Sequence, residues 1–247
     1  MARSLKLGLV GTGRMGRALE AVAGDRGHQI AVKWDGKAAS EPSRAALTQL
    51  DGALEFTHAD VAAELCRCLL DCGVPVVSGT TGWQARLEQV QAVARERRVG
   101  FLWAPNFSLG MQIMFHLAEQ AAAAFSALDG YTPYLVEYHH ERKEDAPSGT
   151  ARRLAGQVLE VTPGRSRWGT PPSNGPLPDD LMPVAWVRAG TIPGTHQLGW
   201  DGPAESLELI HRVRDRAVFA QGALRAMEWL VRREGPHTLD EMLDVRG

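Results

Sequence analysis

The sequence predicts an α/β protein: a doubly wound, parallel-sheet N-terminal domain followed by a central α+β domain with a mixed open sheet. Three observations carry that expectation. Over roughly the first 107 residues, short apolar runs alternate with helical patterns, as parallel βαβ units require. A glycine-rich turn joins the first run to the first helix. From residue 108 onward the alternation gives way to longer strands, one long loop and a final helix.

In chain order, "LKLGLV" (5–10) is the first strand, followed by a helix with Met15, Leu19 and Val22 on one face. "QIAVKWD" (29–35), "ALEFT" (53–57), "VPVVSG" (74–79) and "VGFLWAP" (99–105) read as further strands. Helices near 60–72 and 84–97 separate the later ones. In the first of these helices Val61, Leu65 and Leu69 share a face. A helix near 110–126 leads to the strand "YLVEYHH", then to a helix from about Ser148 to Leu159. The stretch 163–183 holds six prolines and three glycines and reads as a long loop, of a length often used for lids or subunit contacts. "VAWVRAG", "HQLGW" and "SLELIHRV" follow, the last two joined through Asp201-Gly202, which predicts an antiparallel pair. The last helix places Phe219, Ala223, Ala226 and Leu230 on one stripe.

Composition narrows the function classes. The 27 basic and 29 acidic residues leave a formal charge of −2, so neither nucleic acid nor an anionic membrane is an expected partner. The N-terminus lacks a signal-peptide or membrane-span pattern, which predicts a cytoplasmic protein. Cys66, Cys68 and Cys72 fall on one helix. Residues two apart on a helix diverge, so these are expected to be reduced, packed thiols and not a metal cluster.

The segment Gly11-Thr12-Gly13-Arg14-Met15-Gly16 is G-x-G-x-x-G between strand and helix. Its glycines serve a tight turn, backbone approach to a pyrophosphate and close helix packing; the helix N-terminus then faces the phosphates. Asp35, 19 residues past Gly16, stands where a ribose-binding acid is expected. Strand before, helix after and acid beyond predict a Rossmann-like NAD(P) domain, with a bare strand-to-helix turn as the plainer alternative. Lys33 and Lys37 flank Asp35 and offer charge to a 2′-phosphate, while Asp35 itself suits free hydroxyls, so NADPH and NADH both stand. "SGTTGW" (78–83) and "APNFSLG" (104–110) follow strands in the same way. Gly79, Thr80, Thr81, Ala104, Pro105, Asn106 and Phe107 are therefore cofactor candidates, with Thr80 or Ser108 as helix caps the plainer alternative.

"EYHHERKEDAPSGTA" (137–151) concentrates the remaining chemistry, and three readings compete. It is a polar turn leading to a helix capped by Asp145 or Ser148, with Pro147 near the first turn. It is a metal site, although adjacent histidines on a strand diverge and no third His or Cys stands nearby in sequence. Or it is catalytic: one histidine as general acid, Lys143 as fixed positive charge, and Ser148, Gly149 and Thr150 as a carboxylate receptor at a helix N-terminus.

The pattern E-x-H-H-x-x-K-x-D-x-P-S-G-T-A resembles the signature of the 4-hydroxy-tetrahydrodipicolinate (dihydrodipicolinate) reductase family. "GRMG" (13–16), "GTTG" (79–82), "APNFSLG" (104–110), "RAGTIPGTHQLGW" (188–200) and "ESLELIHRVRDRAVFAQGALRA" (205–226) extend the resemblance almost end to end. It implies hydride transfer from NADH or NADPH to a small cyclic dicarboxylate in lysine and diaminopimelate biosynthesis. It implies a cofactor domain of residues 1–107 rejoined by the C-terminal helix 217–247, and a substrate-binding and oligomerisation domain of 108–216 that builds a homotetramer. It gives His139 the role of proton donor or acceptor, Lys143 that of catalytic cation or donor, and His140, Gly149 and Thr150 contacts with substrate. Three positions depart from the family pattern: the first turn is one residue shorter than G-x-x-G-R-M-G, "EFTHAD" replaces Asp-Phe-Thr-x-Pro, and Gly36 follows the ribose acid where some members have Arg. Another Rossmann-type dehydrogenase would explain the first turn but leaves the His-His-Lys…Ser-Gly-Thr unit without a purpose. A dinucleotide sensor lacks a basic DNA-reading helix.

Overall fold

The computed structural model describes residues 3–35 and 42–245, and divides them into two compact units. The first comprises residues up to Leu109 together with Ala217 onward; the second is Gly110–Arg216.

In the first unit, β1 (Lys6–Val10), β2 (Gln29–Trp34), β3 (Gly52–Glu55), β4 (Val76–Ser78) and β5 (Phe101–Trp103) form a parallel sheet. Helices α1 (Arg14–Asp25), α2 (Arg44–Leu47), α3 (Ala59–Asp71) and α4 (Leu87–Arg97) connect them, α4 preceded by a 3-10 turn at Gln84–Arg86. The short β3, β4 and β5 are almost wholly buried, which is why they read as plain apolar runs without alternation. One sheet face, with Leu7, Leu9, Leu54 and Leu102, packs on α1 and on α7 (Ala217–Leu230). The other, with Val10, Ala53, Val76 and Phe101, packs on α3 and α4. Glu228 of α7 bonds Arg26 and His28 just past α1 at 2.7–2.8 Å, fixing α7 to this sheet.

The structure changes several expected elements. Leu65 and Leu69 are buried on α3, but Val61, in the first turn, is exposed; Ala62, Ala63 and Cys66 complete the packed face instead. The three cysteines are free thiols, and burial beside Glu55 pushes the Cys66 thiol up, away from thiolate chemistry. The last helix does not reach residue 247: α7 ends at Leu230. Gly235, at φ +81°, begins a turn into β11 (Pro236–His237), which joins β5 in the parallel sheet. Helix α8 (Leu239–Leu243) follows, its start marked by Thr238, whose hydroxyl accepts from the Glu241 N–H at 3.2 Å.

The second unit holds β6 (Thr132–His139), β7 (Arg167–Gly169), β8 (Leu181–Arg188), β9 (Thr195–Asp201) and β10 (Ser206–Arg212) in the order β10-β9-β6-β8-β7. β9 and β10 are antiparallel, as the Asp201-Gly202 turn requires; β6 and β8 are parallel. Helices α5 (Leu109–Phe125) and α6 (Gly149–Val161) cover Leu135, Val184, Leu198 and Trp200 on the inner face. The proline-rich stretch is not all loop. Arg167 pairs with Asp180, Arg165 donates to the carbonyls of Pro178 and Leu181, and three residues form β7, too short for any periodicity to reveal.

Candidate functional site

In the first unit, the turns after β1, β3 and β4 open at the carboxyl edge of the parallel sheet. Lateral backbone bonds hold them there: Gly11 N–H to Trp34 O at 2.7 Å, Phe56 N–H to Val10 O at 2.8 Å, and Gly79 N–H to Glu55 O at 2.9 Å. The glycine turn fits a dinucleotide on its own geometry. Gly11 has φ +99°, and a Cβ on Gly16 would stand 2.1 Å from the Gly11 carbonyl oxygen, so both must be glycine. A Cβ on Gly13, by contrast, would meet nothing within 4 Å, leaving open the backbone a pyrophosphate would approach. Thr12 and Arg14 are exposed around it, and Asp35 is exposed directly after β2. Lys33 is paired with Glu20 at 2.5 Å on the surface. Gly36 and Lys37 lie outside the described residues.

Beside this turn is a cavity of about 600 Å³. Of the predicted cofactor residues, Met15, Gly79, Thr80, Thr81, Pro105, Asn106 and Phe107 line it. Ala104 does not: it is buried in the core, its N–H bonded to Ser78 O. Phe56, Thr57, His58, Ala59 and Phe219 line the cavity without having been expected there. Thr80 is not a helix cap. Its hydroxyl donates to Glu55, a fully buried carboxylate that also accepts from Thr57 N–H, Thr57 Oγ1 and Ser78 Oγ at 2.5–2.9 Å.

In the second unit, alternation along β6 sends Leu135, Glu137 and His139 to the buried side. His140 falls just past the strand, half-buried and outside the cluster that His139 joins. Register supplies the partners: His196 of β9 lies opposite Glu137, and Arg188 of β8 beside His139. The Glu137 carboxylate, with no solvent exposure, accepts from Arg188 Nη2 at 2.6 Å and from the Ser148 N–H at 3.0 Å. Its other oxygen lies 3.6 Å from His139 Nδ1 and 3.5 Å from His196 Nε2.

Ser148 is the N-cap of α6, its Oγ accepting from Ala151 N–H at 3.1 Å and lying 3.3 Å from His196 Nε2. The capping reading and the site reading therefore coincide at this residue. Ser148 is buried, with both polar groups engaged within the protein, whereas Gly149 and Thr150 begin the helix with N–H groups ahead of the first intrahelical acceptor. A Cβ on Gly149 would meet nothing within 4 Å, so that helix end is open to a ligand. Lys143 Nζ pairs with Asp145 at 2.5 Å, which holds the Asp145 carboxyl below its usual range.

Burial is the largest influence on His139 and lowers its pKa. Glu137 opposes this, while His196, Lys143 and Arg188 reinforce it, leaving His139 near 4 and neutral at physiological pH. Burial would raise Glu137, but the neighbouring His196, Ser148 and Arg188 outweigh it and hold the carboxyl well below the usual carboxylate range.

The fold also corrects one expectation about metals. A third potential ligand does exist, because His196 arrives from β9 and brings Glu137, His139 and His196 ligand atoms within 4.8 Å of one another. Arg188 already supplies the positive charge that this carboxylate calls for. Glu137, Arg188 and His196 were not legible as site residues. The available signal was Glu137 sharing the buried parity of an otherwise apolar strand.

Comparison with known proteins agrees with this arrangement. The pattern described as "Dihydrodipicolinate reductase, N-terminus" matches residues 5–107, and "Dihydrodipicolinate reductase, C-terminus" matches residues 110–245. A 4-hydroxy-tetrahydrodipicolinate reductase of Thiobacillus denitrificans is 37% identical, with 99% of each chain covered. One from Christiangramia forsetii is 30% identical, covering 97% of this chain and 98% of the relative. A dipicolinate-bound dihydrodipicolinate reductase from Paenisporosarcina sp. TG-14 shares the fold at TM-score 0.78 and 24% identity, covering 96% of this chain and 98% of that one.

Proposed function

The chain belongs to the dihydrodipicolinate reductase family, and from that premise we propose how its own residues serve the reaction. It is an NAD(P)H-dependent oxidoreductase that reduces 4-hydroxy-tetrahydrodipicolinate to tetrahydrodipicolinate in lysine and diaminopimelate biosynthesis. Overall, substrate, one hydride and one proton give product and water. The reduced nicotinamide, when bound, supplies the hydride.

The glycine turn Gly11–Gly16 holds the pyrophosphate, Asp35 the adenosine ribose, and the cavity from Met15 to Phe107 the nicotinamide half. The substrate is a small dicarboxylate. One of its carboxylates lies on the Gly149 and Thr150 N–H groups at the positive end of α6, and His140 contacts the substrate from the strand end. Lys143 offsets the dicarboxylate charge and stands ready to deliver a proton. His139, neutral in the resting site, serves as the proton donor or acceptor of the reaction.

The observation that carries this reading is the convergence of His139 with the capped N-terminus of α6 around a single buried carboxylate, Glu137. Substrate generated by a synthase from pyruvate and aspartate semialdehyde tests it: absorbance of the reduced nicotinamide should fall only when every component is present. No turnover with either NADH or NADPH overturns the reading.

We further place the enzyme in the cytoplasm, as an enzyme of amino-acid biosynthesis; no helix among the described residues is long and apolar enough to cross a membrane. The homotetramer that the family resemblance implies would cover apolar side chains left exposed on the second sheet: Val187 on β8, and Leu207 and Ile210 on the edge strand β10. Light scattering at micromolar concentration gives the mass directly.

A further inference from the structure

We propose that Glu137 is the positioning residue of the reaction: its carboxylate fixes the tautomer of His139 so that Nε2 is the nitrogen presented for proton transfer. The inference rests on the reading of His139 as the proton-transferring group.

The argument begins with satisfaction of a buried carboxylate. One oxygen of Glu137 is engaged by Arg188 at 2.6 Å and the Ser148 N–H at 3.0 Å. The other accepts no hydrogen bond; nearest to it are two imidazole nitrogens, His139 Nδ1 at 3.6 Å and His196 Nε2 at 3.5 Å. A carboxylate only accepts, so whichever ring nitrogen turns toward it must carry hydrogen. A small ring movement shortens either approach to bonding distance, and a neutral imidazole protonated at Nδ1 keeps its lone pair at Nε2. His139 Nε2 lies toward the β8–β9 turn, where an added Cβ on Gly194 would stand only 3.2 Å away; glycine there leaves room for that nitrogen.

When Nε2 takes a proton, the resulting imidazolium faces an anion already in place, and no solvent has to reorganise. The same carboxylate also holds Ser148, hence the α6 N-terminus, so one side chain sets the relative placement of the proton-transfer group and the carboxylate receptor. Glu137 touches neither substrate nor cofactor in this scheme; it acts through His139 and Ser148.

The test combines a spectroscopic and a kinetic measurement. In protein labelled with ¹⁵N-histidine at neutral pH, with His139 assigned by comparison with His139→Gln, long-range ¹H–¹⁵N correlation should show Nδ1 protonated and Nε2 bare. Glu137→Gln should keep its cofactor affinity, lose at least tenfold in kcat and alter the His139 tautomer; Glu137→Asp should recover part of the loss. An Nε2–H tautomer in the wild type overturns the proposal, and this measurement stands even if Glu137→Gln does not fold. Unchanged kcat in folded Glu137→Gln also overturns it. If His139→Gln itself turns over normally, the proton-transfer reading of His139 fails instead, which separates the two.

Discussion

Arg188 Nη2 and Glu137 Oε1 meet at 2.6 Å across adjacent parallel strands, with the Glu137 side chain fully excluded from solvent. Removing the cation alone strands a buried carboxylate. Arg188→Met should therefore cost about 3–5 kcal/mol of stability, the range for breaking one side of a buried pair, as measured by urea unfolding. A loss within error of zero would mean that Glu137 finds another partner or takes up a proton.

His139→Gln should lower kcat by about 10²–10⁴, the usual contribution of a placed acid–base group. Cofactor affinity, set by residues of the other unit, should stay within error of wild type in fluorescence titration. A parallel collapse of both quantities would point to misfolding.

Acid should destabilise the protein in two stages. His139 has a folded pKa near 4, below its ordinary value near 6.5, so the unfolded chain binds the extra proton between those values and stability falls as pH drops through that window. Glu137 is also depressed, so its contribution is present above its ordinary value near 4.5 and is lost on further acidification. Chemical denaturation from pH 7.5 to 4 should show declining stability, and His139→Gln should flatten the upper part of that slope.

Gly16→Ala should disable cofactor binding with little effect on the second unit. The new methyl group would lie 2.1 Å from the Gly11 carbonyl oxygen, so the turn must move and its N–H groups with it. Isothermal titration should show at least a tenfold weaker Kd for NADPH and NADH alike; unchanged Kd values would mean the turn absorbs the methyl.

Glu55→Ala removes the acceptor shared by Thr57, Ser78 and Thr80. Each orphaned group costs about 1–3 kcal/mol when it stays buried. Because Thr57 and Thr80 line the cavity proposed for the cofactor, Tm and cofactor affinity should fall together, with substrate KM less affected.

Much of this was local enough to read. The G-x-G-x-x-G turn, the strand–helix alternation and the Ser148 cap depend on residues near one another in sequence, where spacing and backbone preference act directly. The β7 strand and the end of α7 were missed because three-residue strands and a glycine-led turn leave almost no periodic trace.

The sequence by itself determined the class of fold, and it singled out the Gly11–Gly16 turn and the stretch with His139, Lys143 and Gly149-Thr150 as site candidates, since each is written in contiguous residues. Only the tertiary structure decided what surrounds His139. Glu137 reads as one polar residue in an apolar strand until β8 and β9 pair with β6 and bring Arg188 and His196, 51 and 59 positions away, against the same carboxylate. That register is fixed by burial of Leu135, Val184 and Leu198 on the shared face, a constraint that acts through packing and has no local signature.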